Sequence, residues 1–138
     1  MKRVTGIGGI FFKSNDPEKS KAWYGKHLGL VTNPYGSVFE FRTGSDPEKK
    51  GYLNWSPMGA DTTYYAPSEK EFMINYRVDD LVALLKELKK EGVEIIGEMQ
   101  EESYGKFAWI MDPEGRKIEL WEPVDEVFTG EYEGKTTM

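Results

Sequence analysis

The chain has 138 residues, 38% of them hydrophobic and 14% aromatic, which is enough to build the core of one domain and too much for a disordered segment. It carries a net charge of -6 with basic and acidic residues interleaved, which argues against nucleic acid as a partner, because phosphate contacts need clustered Lys and Arg. It contains no cysteine, so disulfides, thiolate metal sites and thiol nucleophiles are all excluded.

No apolar run approaches the ~20 residues that span a bilayer, and Met1-Lys2-Arg3 leads into a Gly-rich strand pattern without a cleavage signature, so a cytoplasmic location and no membrane partner are expected. Gly8 to Lys13 is a short aromatic and β-branched run of strand type. The preceding Gly6-Ile7-Gly8-Gly9 is not a phosphate-binding loop, since it enters a strand and not a helix N-terminus. Asn15 or Asp16 is suited to cap a helix with Pro17 in its first turn and a weak apolar face of Ala22, Trp23 and Leu28, closed by Gly29. His27, the one histidine, falls near the C-terminal end of that helix, where a cation complements the dipole, and it has no partner acid for catalysis. Strand patterns follow near 30–33, 37–43 and 51–56, and the Asp46-Pro47 pair is read as the turn between the last two.

Residues 58–70 lack periodicity and read as a linker. The order then repeats. Phe72 to Val78 is strand-like; Asp79 or Asp80 is an N-cap; Leu81, Leu84, Leu85 and Leu88 form one apolar stripe; Gly92 ends the helix. Strand patterns near 93–99, 104–111 and 116–122 come next, with Asp112-Pro113 as the turn. The internal match is explicit: Asp46-Pro47-Glu48, Trp55 and Pro57 recur as Asp112-Pro113-Glu114, Trp121 and Pro123 at an offset of 66, while Asp16 and Asp80 lie 64 apart. Residues 124–138 are an acidic tail, weakly patterned, in which Phe128 and Tyr132 are the groups able to dock on the body.

These observations predict an α+β domain over 1–123: two tandem βαβββ modules, about 5–57 and 71–123, forming a curved, partly open mixed sheet with helices on its convex side. Strand alternation is expected to turn Glu119 inward with Phe11, Leu53, Trp55, Met73, Asn75 and Trp121, giving an apolar concave surface with few polar groups. Glu119 is then the one candidate catalytic or ligand-orienting group, with Arg77, Lys13 or a water as its alternative structural partners.

The segments "DPEKSKAWYGKHLGL", "FMINYRVDDL" and "FAWIMDPEGRKIELWEP" resemble the first helix, the fifth strand and the closing hairpin of the vicinal oxygen chelate superfamily, which includes glyoxalase I, bleomycin-resistance proteins and extradiol dioxygenases. The resemblance implies tandem βαβββ modules and, in metal-using members, four ligands on inward-facing strand positions. Those positions fall on Gly9, Leu53, Met73 and Glu119, of which only Glu119 is a usual ligand, so no metal and no cofactor are expected. The resemblance implies a glyoxalase/bleomycin-resistance-like protein that binds a small, partly aromatic or cationic molecule. The alternatives are a metal-dependent lyase, isomerase or dioxygenase, or a metal-free enzyme with Glu119 as general base. Edge strands of an open sheet make a homodimer the expected assembly.

Overall fold

The structure, a computed structural model, describes residues 1–138. Its strands are β1 (Val4–Ser14), β2 (Thr32–Asn33), β3 (Gly36–Thr43), β4 (Asp46–Gly59), β5 (Phe72–Val78), β6 (Ile95–Glu102), β7 (Gly105–Met111) and β8 (Lys117–Pro123). The helices are α1 (Pro17–Leu28), α2 (Leu81–Lys90) and α3 (Asp125–Tyr132). No helix is long and apolar enough to cross a membrane.

All eight strands form one mixed sheet in the order β2-β3-β4-β1-β5-β8-β7-β6. The order reads the same from either end when the halves are exchanged: β1 runs parallel to β4 as β5 does to β8, and β1 and β5 meet antiparallel at the centre. Ile10 pairs with Ile74 in that central ladder, and the two are separated by the same 64 residues as Asp16 and Asp80. The fold is therefore the expected pair of βαβββ modules in an open α+β sheet.

Both helix starts obey their caps. Asp16 accepts from the Lys19 amide at 3.1 Å and Asp80 from the Ala83 amide at 3.0 Å, each satisfying an orphan N–H of a first turn. On α2, Leu81, Leu84 and Leu88 are buried against Val78, Ala108, Ile110 and Leu120, the largest apolar cluster of the molecule. Truncating any of these leucines to alanine costs about 2–5 kcal/mol.

Helix α1 departs from the expected face. Ala22, Trp23 and Leu28 all lie exposed, and Trp23 stacks on His27 at the surface with ring centroids 4.9 Å apart. The helix instead rests on the sheet through Tyr24, whose ring meets Trp55 at 4.7 Å, and through buried Lys21, whose ammonium donates to the carbonyls of Asn33 and Pro34. A lysine stem covers apolar surface as well as a leucine does when its head finds acceptors, which a count of apolar residues does not register.

The first-module turn also moves. Thr43 pairs with Asp46 across Gly44-Ser45, so Asp46-Pro47-Glu48 belongs to strand β4, whereas Asp112 to Gly115 does form a turn, with Asp112 accepting the amides of Glu114 and Arg116. The matching words thus occupy unlike positions in the two modules.

Residues 124–138 are ordered on the body. Helix α3 lies on the opposite face of the sheet from α1 and α2, with Phe128 packed among Tyr52, Trp121 and Tyr132. Beyond it Thr137 donates its amide to the Val38 carbonyl at 2.8 Å, and its hydroxyl accepts the Val31 amide at 2.7 Å.

Candidate functional site

The concave face encloses a cavity of about 720 Å³. Its first-module wall is Asn54, Ser56 and Met58 of β4 with Phe11 of β1; its second-module wall is Asn75 of β5, Phe107 and Trp109 of β7, and Glu119 and Trp121 of β8. Tyr64, from the segment joining the modules, closes one side, and Phe128, Glu131 and Tyr132 of α3 close another. Pro34, Tyr35, Gln100, Glu102 and Tyr104 stand around the remainder. The lining holds nine aromatic rings and three carboxylates, and no lysine, arginine or histidine.

Glu119 is 2% exposed and accepts three hydrogen bonds from neutral donors. Asn75 Nδ2 donates to Oε1 at 2.7 Å, Trp109 Nε1 donates to Oε2 at 2.9 Å, and the Tyr64 hydroxyl donates to Oε2 in a short contact. The backbone arranges two of these directly: Glu119 stands beside Asn75 in the parallel ladder and opposite Trp109 in the antiparallel one. A carboxylate has about four acceptor positions on its two oxygens, so one on Oε1 remains after these three donors.

The environment shifts the neighbouring groups. Burial, then the charge and hydrogen bond of Glu119, hold the Tyr64 hydroxyl far above the ordinary phenol range. Tyr65, buried and also facing the Glu119 charge, is pushed up to about 12. Lys117 donates to the Tyr64 carbonyl at 2.9 Å; its ammonium is lowered by burial, against a smaller raising effect of Glu119.

Of the residues expected inside, Phe11, Asn75, Glu119 and Trp121 line the cavity. Met73 lies beneath it, fully buried against Phe11, Tyr65 and Trp109. Leu53 and Trp55 do not reach it. Trp55 packs on the opposite face against Phe12 and Tyr24, and β4 turns Asn54 and Ser56 inward instead. Anchoring the repeat on its Trp-x-Pro word placed β4 three residues out of step, since Ser56 beside Phe11 corresponds to Glu119 beside Asn75, and any odd slip reverses every side chain of a strand. Neither Arg77 nor Lys13 pairs with Glu119: Arg77 pairs with Asp125 at 2.6 Å, and the Lys13 ammonium lies 6.0 Å from the Tyr65 ring centroid.

Tyr64, Trp109, Asn54 and Ser56 were not anticipated. Trp109 was within reach, because the Asp112–Gly115 turn sets Met111 opposite Lys117 and hence Trp109 opposite Glu119. Tyr64 comes from a segment with no period, and no local pattern points to it.

These residues do not fit a divalent cation. Gly9 offers no side chain, Met73 lies in an apolar cluster, Leu53 is not in the cavity, and no three His, Asp or Glu side chains converge anywhere in the chain. Around the remaining carboxylate stand N–H and O–H donors, whose hydrogens occupy directions that a cation would need.

Among solved structures, methylmalonyl-CoA epimerase of Streptomyces coelicolor in complex with 2-nitronate-propionyl-CoA has a TM-score of 0.64 at 15% identity, covering 88% of this chain and 99% of that one. Methylmalonyl-CoA epimerase of Mycobacterium tuberculosis gives 0.57 at 20% identity, covering 91% and 93%. The Mn(II)-bound glyoxalase of Novosphingobium aromaticivorans gives 0.62 at 18% identity, covering 88% of this chain and 40% of that longer one. At such identities the likeness is one of fold alone. No curated protein matches the sequence. The family model of glyoxalases, bleomycin-resistance proteins and dioxygenases matches residues 6–120, which take in nearly all of both modules and Glu119, and the chain therefore belongs to the Glyoxalase/Bleomycin resistance protein/Dioxygenase superfamily.

Proposed function

We propose that this protein binds a small organic molecule in the concave cavity without a metal ion, with the aromatic walls gripping it and Glu119 orienting it. The observation that carries the reading is a buried carboxylate held by three neutral donors, with an acceptor position left over, in a cavity that no cationic side chain lines. A cavity of about 720 Å³ falls within the ordinary range for drug-sized ligands. Its charge also bears on what enters. The epimerases of similar fold are named for an acyl-CoA ester, whose phosphates call for lysine or arginine, and this lining has neither.

The test is a thermal-shift screen of aromatic compounds, since a ligand held by the folded state alone raises the melting temperature. Binding that weakens in Glu119→Gln and in Trp121→Leu supports the reading. Compounds that bind with unchanged affinity to both variants refute the site. The assembly state is part of the same proposal: edge strands β2 and β6 each have one lateral neighbour, and a second copy pairing with an edge is the expected cover. Light scattering giving only monomer mass at micromolar concentration refutes that part.

A further inference from the structure

The aromatic lining is not uniform. Its deeper rings sit around Glu119, whereas three tyrosines from separate elements stand together at the mouth: Tyr35 from the turn before β3, Tyr104 from the β6–β7 turn and Tyr132 from the last turn of α3. Tyr35 is 78% exposed although its backbone is pinned, with Asn33 Oδ1 accepting the amides of Tyr35 and Gly36. A large ring held out into solvent on a fixed turn offers a face with nothing on it. Tyr104 is 41% exposed and is braced edge-on by Phe107 and Phe128, and Tyr132 is braced by stacking on Phe128 at 5.5 Å.

Two exposed carboxylates, Glu102 and Glu131, stand among these rings. The groups are close enough to act on one another: after burial, Glu102 and then Glu119 and Tyr35 raise the Tyr104 phenol, and after burial, Glu131 and Tyr35 raise that of Tyr132.

We infer that the mouth binds the ammonium group of an organic cation, held against the faces of Tyr35, Tyr104 and Tyr132 and balanced by Glu102 and Glu131. The inference rests on the small-molecule reading above and names the ligand class. Ring faces carry negative quadrupole potential and attract a weakly hydrated ammonium, which gives up its water at little cost. A bare metal ion keeps its water and needs converging oxygen ligands, and no three acids converge here. An anion meets three carboxylates and no compensating cation.

The experiment titrates benzyltrimethylammonium, benzyl alcohol and benzenesulfonate separately into the protein, following quenching of the cavity tryptophans Trp109 and Trp121. The expected order is cation first, neutral second and anion weakest, with added salt weakening only the cation. Glu102→Gln with Glu131→Gln, both exposed and remote from the core, lowers affinity for the cation by about fivefold or more and leaves benzyl alcohol unchanged. Benzyl alcohol binding as tightly as the cation, or a double variant with undiminished cation affinity, overturns the assignment. If that happens while binding still depends on Glu119, only the ammonium assignment falls. If none of the three probes binds, the small-molecule reading falls with it.

Discussion

Trp109 and Glu119 occupy facing positions on adjacent strands, and the indole N–H donates to the carboxylate at 2.9 Å. With Asn75 and Tyr64 it makes Glu119 the acceptor for three buried donors, so the carboxylate holds parts of β5, β7, β8 and the intermodule segment together. Glu119→Ala leaves all three donors without a partner, and at about 1–3 kcal/mol each the loss is about 3 kcal/mol or more. Glu119→Gln keeps one oxygen as acceptor and is expected to cost about half as much; Trp109→Phe removes one donor and costs about 1 kcal/mol beyond its packing. Urea denaturation of the three variants checks this order. A Glu119→Ala protein as stable as wild type contradicts it.

The tyrosines beside this carboxylate predict an alkaline limit to stability. Their folded-state values lie above the ordinary value of about 10, so below pH 10 both folded and unfolded chains keep the phenols protonated. As the pH rises past 10, the unfolded chain releases these protons while the folded one holds them. Stability therefore falls, through about 12 for Tyr65 and beyond for Tyr64. Tyr65→Phe removes about one proton from the pH dependence of unfolding between about pH 10 and 12, as does Tyr64→Phe. Denaturation midpoints measured across that window test the slope, and absorbance at the phenolate band counts the late-titrating groups.

Arg77 and Asp125 form a buried ion pair between β5 and the start of α3, both less than a tenth exposed. Arg77 also donates to the Tyr52 carbonyl at 3.2 Å and lies over the rings of Phe41 and Trp121. Removing one partner strands a charge away from water. Asp125→Leu alone is expected to cost about 3–5 kcal/mol, and Arg77→Met with Asp125→Leu together substantially less. A double-mutant cycle showing additive losses contradicts the pairing.

Protein purified without chelator is expected to hold well below one equivalent of Zn, Ni, Mn or Fe, because Glu119 has no second His, Asp or Glu converging with a third to complete a ligand set. Its melting temperature is expected not to move on addition of EDTA. Elemental analysis giving one equivalent, lost in Glu119→Ala, refutes this.

The parts of the fold that were legible are those where local chemistry decides the structure. Asp16 and Asp80 cap as their positions suggest; the leucines of α2 go inward because they share one stripe; Glu119 turns in because its neighbours Ile118 and Leu120 pack against α2. The errors come from long-range terms. Leu53 and Trp55 were misplaced because register along β4 is set by pairing with β1 and β3, and the two-residue turn at Gly44-Ser45 leaves Asp46-Pro47 inside the strand. Lys21 replaced an apolar face because its acceptors lie twelve and thirteen residues away in the chain. Tyr64 reaches Glu119 across 55 residues, a contact that no period or spacing encodes.

The docking of α3 carries one further consequence. This helix contributes Phe128, Glu131 and Tyr132 to the cavity and is tied to the sheet by Arg77 and by a 2.7 Å hydrogen bond between Tyr52 and Thr129. For a ligand that touches this wall, occupancy and the local unfolding of the helix share one thermodynamic cycle. A ligand that requires the docked helix must slow the hydrogen exchange of α3 amides, and a substitution that loosens the helix must weaken the ligand by the same free energy. The last turns of the chain thus act as an internal reporter of the cavity, readable without any label on the ligand.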